Sequence, residues 1–189
     1  HSVQANARHD NDSEFGEKST EALAYGYAFS PSLRATASMG TAFRVPTLYQ
    51  RFSIYGNPSL KPETSENREM GLRWQSGVDR VSVVAYRNDV ENLINYVTGA
   101  SNSCANGSTC YFNTGRARMT GQTFAASTQL FHANLGASID WMTPTNLDTG
   151  KILTRRPREQ AVFTADVPID QWRLGGELQY VGERFDNAS

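Results

Sequence analysis

The sequence predicts an all-β fold, an antiparallel transmembrane β-barrel wall, and three observations predict it. Apolar residues alternate with small or polar ones at a period of two, and no segment sustains the i, i+3, i+4, i+7 stripe of an amphipathic helix. Short links also alternate with long ones, the arrangement of a barrel with brief turns at one end and large loops at the other.

Taken in order, a weak first strand fits Ser2 to His9. Next, Leu23, Tyr25, Tyr27 and Phe29 share one face while Ala22, Ala24, Gly26 and Ala28 share the other. After Ser30 to Ser32 the pattern resumes, with Leu33, Ala35, Ala37 and Met39 opposed to Arg34, Thr36, Ser38 and Gly40, so the two runs form a hairpin. Met70, Leu72 and Trp74 oppose Glu69, Gly71 and Arg73 within Arg68 to Trp74. Weaker strands fit Arg80 to Tyr96 and Tyr111 to Leu130. The last three carry Leu135, Ala137, Ile139 and Trp141, then Ala161, Phe163, Ala165 and Val167, then Trp172, Leu174, Gly176, Leu178 and Tyr180. The total is about nine strands.

The short links are Ser30 to Ser32, Ser76 to Asp79, Leu130 to His132 and Pro168 to Gln171. The long ones are Asp10 to Ser19, Val45 to Ser65, Thr98 to Cys110 and Met142 to Pro157. Aromatic residues recur near strand ends at Phe29, Phe43, Trp74, Trp141, Trp172 and Tyr180, as in the girdles at the edges of a hydrocarbon layer. The opposite face, with Arg34, Glu69, Arg73, Arg173 and Glu177, is costly to bury and suits an aqueous lumen. A soluble sheet with one solvated face is the competing reading, a β-sandwich binding module.

The 189 residues leave room for about one domain, and 18 Lys+Arg against 19 Asp+Glu exclude the strongly basic face of a nucleic-acid binder. No run of ~18 apolar residues offers a membrane-spanning helix. A mean hydropathy of -0.52 fits a soluble protein and a membrane barrel equally, because a barrel's lumen face is polar. The chain opens at His1 without a leader and reads as a piece of a longer protein. Cys104 and Cys110 lie six positions apart in a small polar stretch and are expected to pair, which favours an oxidising compartment. No second ligand pair stands near them for zinc.

Three stretches carry a resemblance: Gly40-Thr-Ala-Phe-Arg-Val-Pro-Thr-Leu-Tyr49, Tyr55-Gly-Asn-Pro-Ser-Leu-Lys-Pro-Glu-Thr-Ser-Glu-Asn67 and Glu69-Met-Gly-Leu-Arg73. Together with Tyr86 to Tyr96 and Tyr111 to Gly121, they resemble the barrel of TonB-dependent outer-membrane receptors. Leu153-Thr-Arg-Arg-Pro-Arg-Glu-Gln160 and Gln179-Tyr-Val-Gly-Glu-Arg-Phe-Asp186 are most similar to the vitamin B12 (cobalamin) receptors of that family. The resemblance implies a barrel of about 22 strands around a plugged lumen, of which residues 1–189 supply part of one wall, with the plug and the last strands outside it. It also implies a bacterial outer-membrane location, lipid against the wall, and active import of a scarce nutrient complex with energy from TonB through the plug. Cobalamin is the expected ligand and a ferric siderophore the alternative. Arg155 falls where cobalamin receptors reach their ligand from an external loop, and a guanidinium suits a corrinoid's amide oxygens and phosphate; a solvated loop arginine is the equal competing reading. A wall cut from a larger barrel leaves two open edges that invite self-association.

Other constellations carry less. Asp10, Asp12, Glu14 and Glu21 have an EF-hand-like oxygen spacing, but the turn glycine is displaced to Gly16, so a solvated acidic loop is expected and no metal or cofactor. Gly16 to Thr20 lacks the spacing of a phosphate loop, and the glycosylation patterns at Asn11, Asn106 and Asn187 have little meaning in a bacterial outer membrane. His132 sits in a short turn outside any nucleophile motif, and no catalysis is expected.

Overall fold

The computed structural model describes residues 1–98, 104 and 109–185. Nine strands run in chain order through one antiparallel sheet: β1 (Ser2–Asp12), β2 (Gly16–Ala28), β3 (Leu33–Arg44), β4 (Glu63–Ser76), β5 (Asp79–Thr98), β6 (Thr109–Leu130), β7 (Ala133–Asn146), β8 (Glu159–Ile169) and β9 (Trp172–Val181). One short helix among the described residues, α1 (Leu48–Phe52), lies in the β3–β4 connection.

The register carries the alternation from strand to strand. One continuous row reads Tyr27, Ala35, Leu72, Val83, Phe124, Ile139, Ala161 and Tyr180 across eight strands, apolar or aromatic at every step. The adjacent row on the other face reads Gly26, Thr36, Gly71, Val84, Thr123, Asp140, Gln160 and Val181, mostly small or polar. A slip of one residue would exchange these faces, so the pattern itself fixes the pairing. No second layer packs on the apolar side among the described residues: Leu23 is 49% exposed, Met70 72% and Leu178 67%. A β-sandwich would bury these side chains between sheets. Lipid tails are the surroundings that make such a face stable.

The short ends are tight. Phe131 and His132 both take left-handed φ, 46° and 69°, forming a two-residue reversal more often given to Asn-Gly, and Phe131 stands almost wholly exposed. Phe29, Trp74 and Trp172 lie near these turns, whereas Phe43 pairs with Thr64 in the polar extension of the sheet and takes no part in the girdle.

At the other end one expectation is corrected. Asp10 to Ser19 is not a long loop: β1 and β2 continue through it, and the reversal is confined to residues 13–15, where the Asp12 carboxylate accepts from the backbone N–H of Glu14 and Phe15, each at 2.9 Å. Solvated strand extensions beyond a membrane need no apolar alternation, which is why their polar residues read as loop. The acidic residues are therefore spread over two strands and a turn instead of ringing a loop, and among the described residues no group of three potential ligands could hold a metal. The connections at residues 45–62 and 147–158 are long, as expected. The link Thr98 to Cys110 falls largely outside the described residues, as do the patterns at Asn106 and Asn187.

Candidate functional site

The loop end gathers the only compact apolar cluster among the described residues, Val90, Leu93, Ala117 and Leu153 with Met119 packed against it. Leu153 belongs to the 147–158 connection, which is also tied to the wall by the Leu153 N–H donating to Pro144 O at 2.8 Å and by the Thr145–Ile152 bridge. Arg155 follows two residues later with a left-handed backbone (φ 58°), its N–H donating to Phe185 O at 2.9 Å. The loop thus presents an exposed Arg155 side chain from an anchored base. Arg156 turns the other way, where burial pushes its guanidinium below the usual arginine range against the opposing pull of Glu63.

Glu63, at the start of β4, is the hub of this end. Its carboxylate accepts from Arg44 Nε at 2.6 Å and from the Ile94 backbone N–H at 2.6 Å, joining β3, β4 and β5 in one buried acceptor. A second tie comes from α1. Thr47 caps it by a reciprocal box with Gln50, and Gly56 folds back so closely that a Cβ there would lie 2.4 Å from Arg51 O. That geometry plants Arg51 against the β1–β2 turn, where it ion-pairs with Glu14, donates to Pro58 O at 3.1 Å and lies over the rings of Phe15 and Phe52 at 5.1 and 4.7 Å. The Arg51 hydrogen bond holds the Glu14 carboxyl below the usual carboxylate range. Because that pKa is lowered, the tie is present above the ordinary Glu range and is lost only as pH falls through the depressed value.

Between these ties lies a chain of tyrosines. Tyr49 of α1 meets Tyr111 edge-on at 6.1 Å, Tyr111 meets Tyr96 at 5.4 Å, and Tyr96 meets Tyr55 at 5.6 Å. The Tyr111 N–H donates to Tyr55 O at 3.0 Å, so the connection lies across the β5–β6 hairpin. Asn113 fastens it further, donating to Lys61 O at 3.0 Å and to Asn92 O at 2.6 Å. Cys104 and Cys110 are joined by a disulfide with a Cα–Cα separation of 5.4 Å, bracing the base of this hairpin tip. Lower on the polar face, Asp140 accepts from Tyr86 at 3.1 Å and Thr123 at 2.6 Å, and the Tyr86 ring lies over Gly121, where a Cβ would come within 2.4 Å of it. Sequence reading singled out Arg155 and the cysteines. It missed Glu63, Arg51 and the tyrosine chain, whose ion-pair and ring partners lie 15 to 62 residues away and leave no local pattern.

One sheet with an apolar outer face, a polar inner face, tight turns at one end and an ordered loop cluster at the other is the wall of a transmembrane β-barrel. The sequence profile of the family described as TonB dependent receptor-like, beta-barrel, matches residues 1–189, and the chain belongs to that family. It is a family of bacterial outer-membrane receptors. The fold is similar to a ferric enterobactin receptor from Pseudomonas aeruginosa, at 20% identity and a TM-score of 0.73 over 95% of this chain and 30% of that one. It is similar also to the siderophore receptor PirA from Acinetobacter baumannii (20% identity, TM-score 0.71, 92% of this chain and 30% of that one). A third likeness is the copper transporter OprC, at 21% identity and a TM-score of 0.68 over 87% of this chain and 26% of that one. The chain spans less than a third of the length of these structures. These likenesses are to siderophore and metal receptors and do not single out cobalamin receptors.

Proposed function

We propose that the complete receptor imports a ferric siderophore across the outer membrane with energy supplied through TonB, and that this chain contributes wall strands and outward loops to the mouth where the ligand is captured. The observation that carries this reading is the tyrosine chain Tyr49–Tyr111–Tyr96–Tyr55, held in place by α1 and the β5–β6 hairpin. Phenol rings packed edge to face present both apolar surface and hydroxyl groups, which suits a chelate built on aromatic or amide groups. The siderophore receptors among similar folds support the same reading. Cobalamin is the second reading, favoured by the likeness of residues 153–160 and by an exposed Arg155 on an anchored loop.

Equilibrium binding of ferric catecholates, ferric hydroxamates and cyanocobalamin to the complete receptor separates the two. A ferric siderophore is expected to bind, and Tyr111→Ala to weaken it about five- to tenfold, the effect of removing ~1 to 1.4 kcal/mol of aromatic contact. Binding of cyanocobalamin alone, weakened by Arg155→Ala, would replace the siderophore reading with the cobalamin one.

A further inference from the structure

The outward face changes character abruptly at the loop end of its apolar band. One row above Met70, Ala85 and Gln122, the register places Met39, Arg68, Arg87, Thr120 and Thr143 side by side on β3 to β7. Arg68 and Arg87 are therefore direct cross-strand partners of like charge, an arrangement that needs negative charge beside it. The next row supplies Glu66, Asp89 and Arg118. Arg68 donates to Glu66 at 2.6 Å, while Arg87 and Arg118 both donate to Asp89 at 2.6 Å, so three guanidiniums share two carboxylates. The side chains of Arg68 and Arg87 remain 59% and 43% exposed, with donors left over.

The two arginines line an outward groove of about 520 Å³, with Leu23 and Met39 level with them and Tyr25, Ala37, Met70 and Ala85 one row below. Small residues make its floor and long ones its sides, a shape that takes a hydrocarbon chain. We propose that this groove and the Arg68–Arg87 pair form a binding site for a phosphorylated glycolipid of the outer leaflet, with an acyl chain along the groove and a phosphate between the guanidiniums. Arginine forks match phosphate oxygens two at a time, and three guanidiniums over two carboxylates leave an excess positive charge that a phosphate there offsets. The site is on the membrane side of the wall and is independent of which nutrient the mouth captures.

The test is native mass spectrometry of the complete receptor, delipidated in mild detergent and titrated with bisphosphorylated lipid A, its dephosphorylated form, or inorganic phosphate. Bisphosphorylated lipid A is expected to bind at least tenfold more tightly than the dephosphorylated form, and the difference to shrink below threefold in the Arg68→Gln/Arg87→Gln variant. Equal binding of the two lipids, an unchanged preference in the variant, or inorganic phosphate binding as tightly as the lipid would each overturn the proposal. So would a receptor dimer that forms through this face and excludes lipid. Should the Gln pair fail to fold, Arg68→Lys/Arg87→Lys keeps the charge but loses the fork, and is expected to weaken the lipid at least threefold; an unaltered affinity there also overturns it.

Discussion

Leu72→Arg, made in the complete receptor in lipid vesicles, is expected to destabilise the barrel by about 2 to 4 kcal/mol, the cost of an arginine near the midplane of a lipid-facing wall. Leu72 occupies the row that is apolar from Tyr27 to Tyr180, and its side chain touches no second layer of protein, being 53% exposed. Were that face in water, an arginine there would change stability by no more than about 0.5 kcal/mol. Arg73, its neighbour on β4, points to the polar side opposite Arg34 and Ser82. Arg73→Leu is expected to be nearly neutral when both variants are unfolded with urea in those vesicles. A general effect of strand propensity or net charge would give the reverse exchange an equal change of opposite sign, whereas a cost set by lipid contact is confined to Leu72.

Glu63→Ala is expected to loosen the loop end while leaving the membrane-spanning strands intact. The substitution strips Arg44 of its carboxylate, the Ile94 N–H of its acceptor, and the buried Arg156 of a favourable neighbouring charge. Removing one partner of a buried pair costs about 3 to 5 kcal/mol, and the half-exposed Arg44 brings the expectation down to about 2 to 4 kcal/mol. Hydrogen exchange localises the loss: the Ile94 amide should exchange at least a hundredfold faster, while the Val83 amide in the lipid-facing part of β5 should not change. Glu63→Gln keeps an acceptor for Ile94 and is expected to show roughly half the effect. A uniform acceleration along β5 would mean that Glu63 supports the whole strand instead of the mouth.

The alternation in residues 23–29, 33–39 and 135–141 made the sheet legible, because a wall between lipid and water must alternate along every strand. The same rule fails beyond the membrane. Asp10 to Ser19 is paired strand with polar residues on both faces, and nothing local separates that from a loop. Five residues are too few for α1 to show helical periodicity, and Thr47 with Gln50 was its one local sign. The turn at Phe131–His132 lacks the glycine or asparagine that usually marks such a reversal, yet the flanking strands impose it. Cys104 and Cys110 were legible as a pair from their spacing and polar setting, and the structure joins them. Arg155 came from likeness to a family rather than from local physics. The ties that organise the mouth, Arg44 to Glu63, Arg51 to Glu14 and Tyr55 to Tyr96, join residues 19, 37 and 41 positions apart, and such contacts exist only once the register brings the strands together.

One side of the sheet meets hydrocarbon and the other meets water. Single cysteines placed in turn at Ala137, Ser138, Ile139, Asp140 and Trp141 of the complete receptor, spin-labelled in vesicles, test it through collisions with oxygen and with a water-soluble nickel complex. Labels at 137, 139 and 141 are predicted to favour oxygen and those at 138 and 140 the nickel complex. Labels at 137 and 139 shielded from both reagents, as between stacked protein layers, would contradict it.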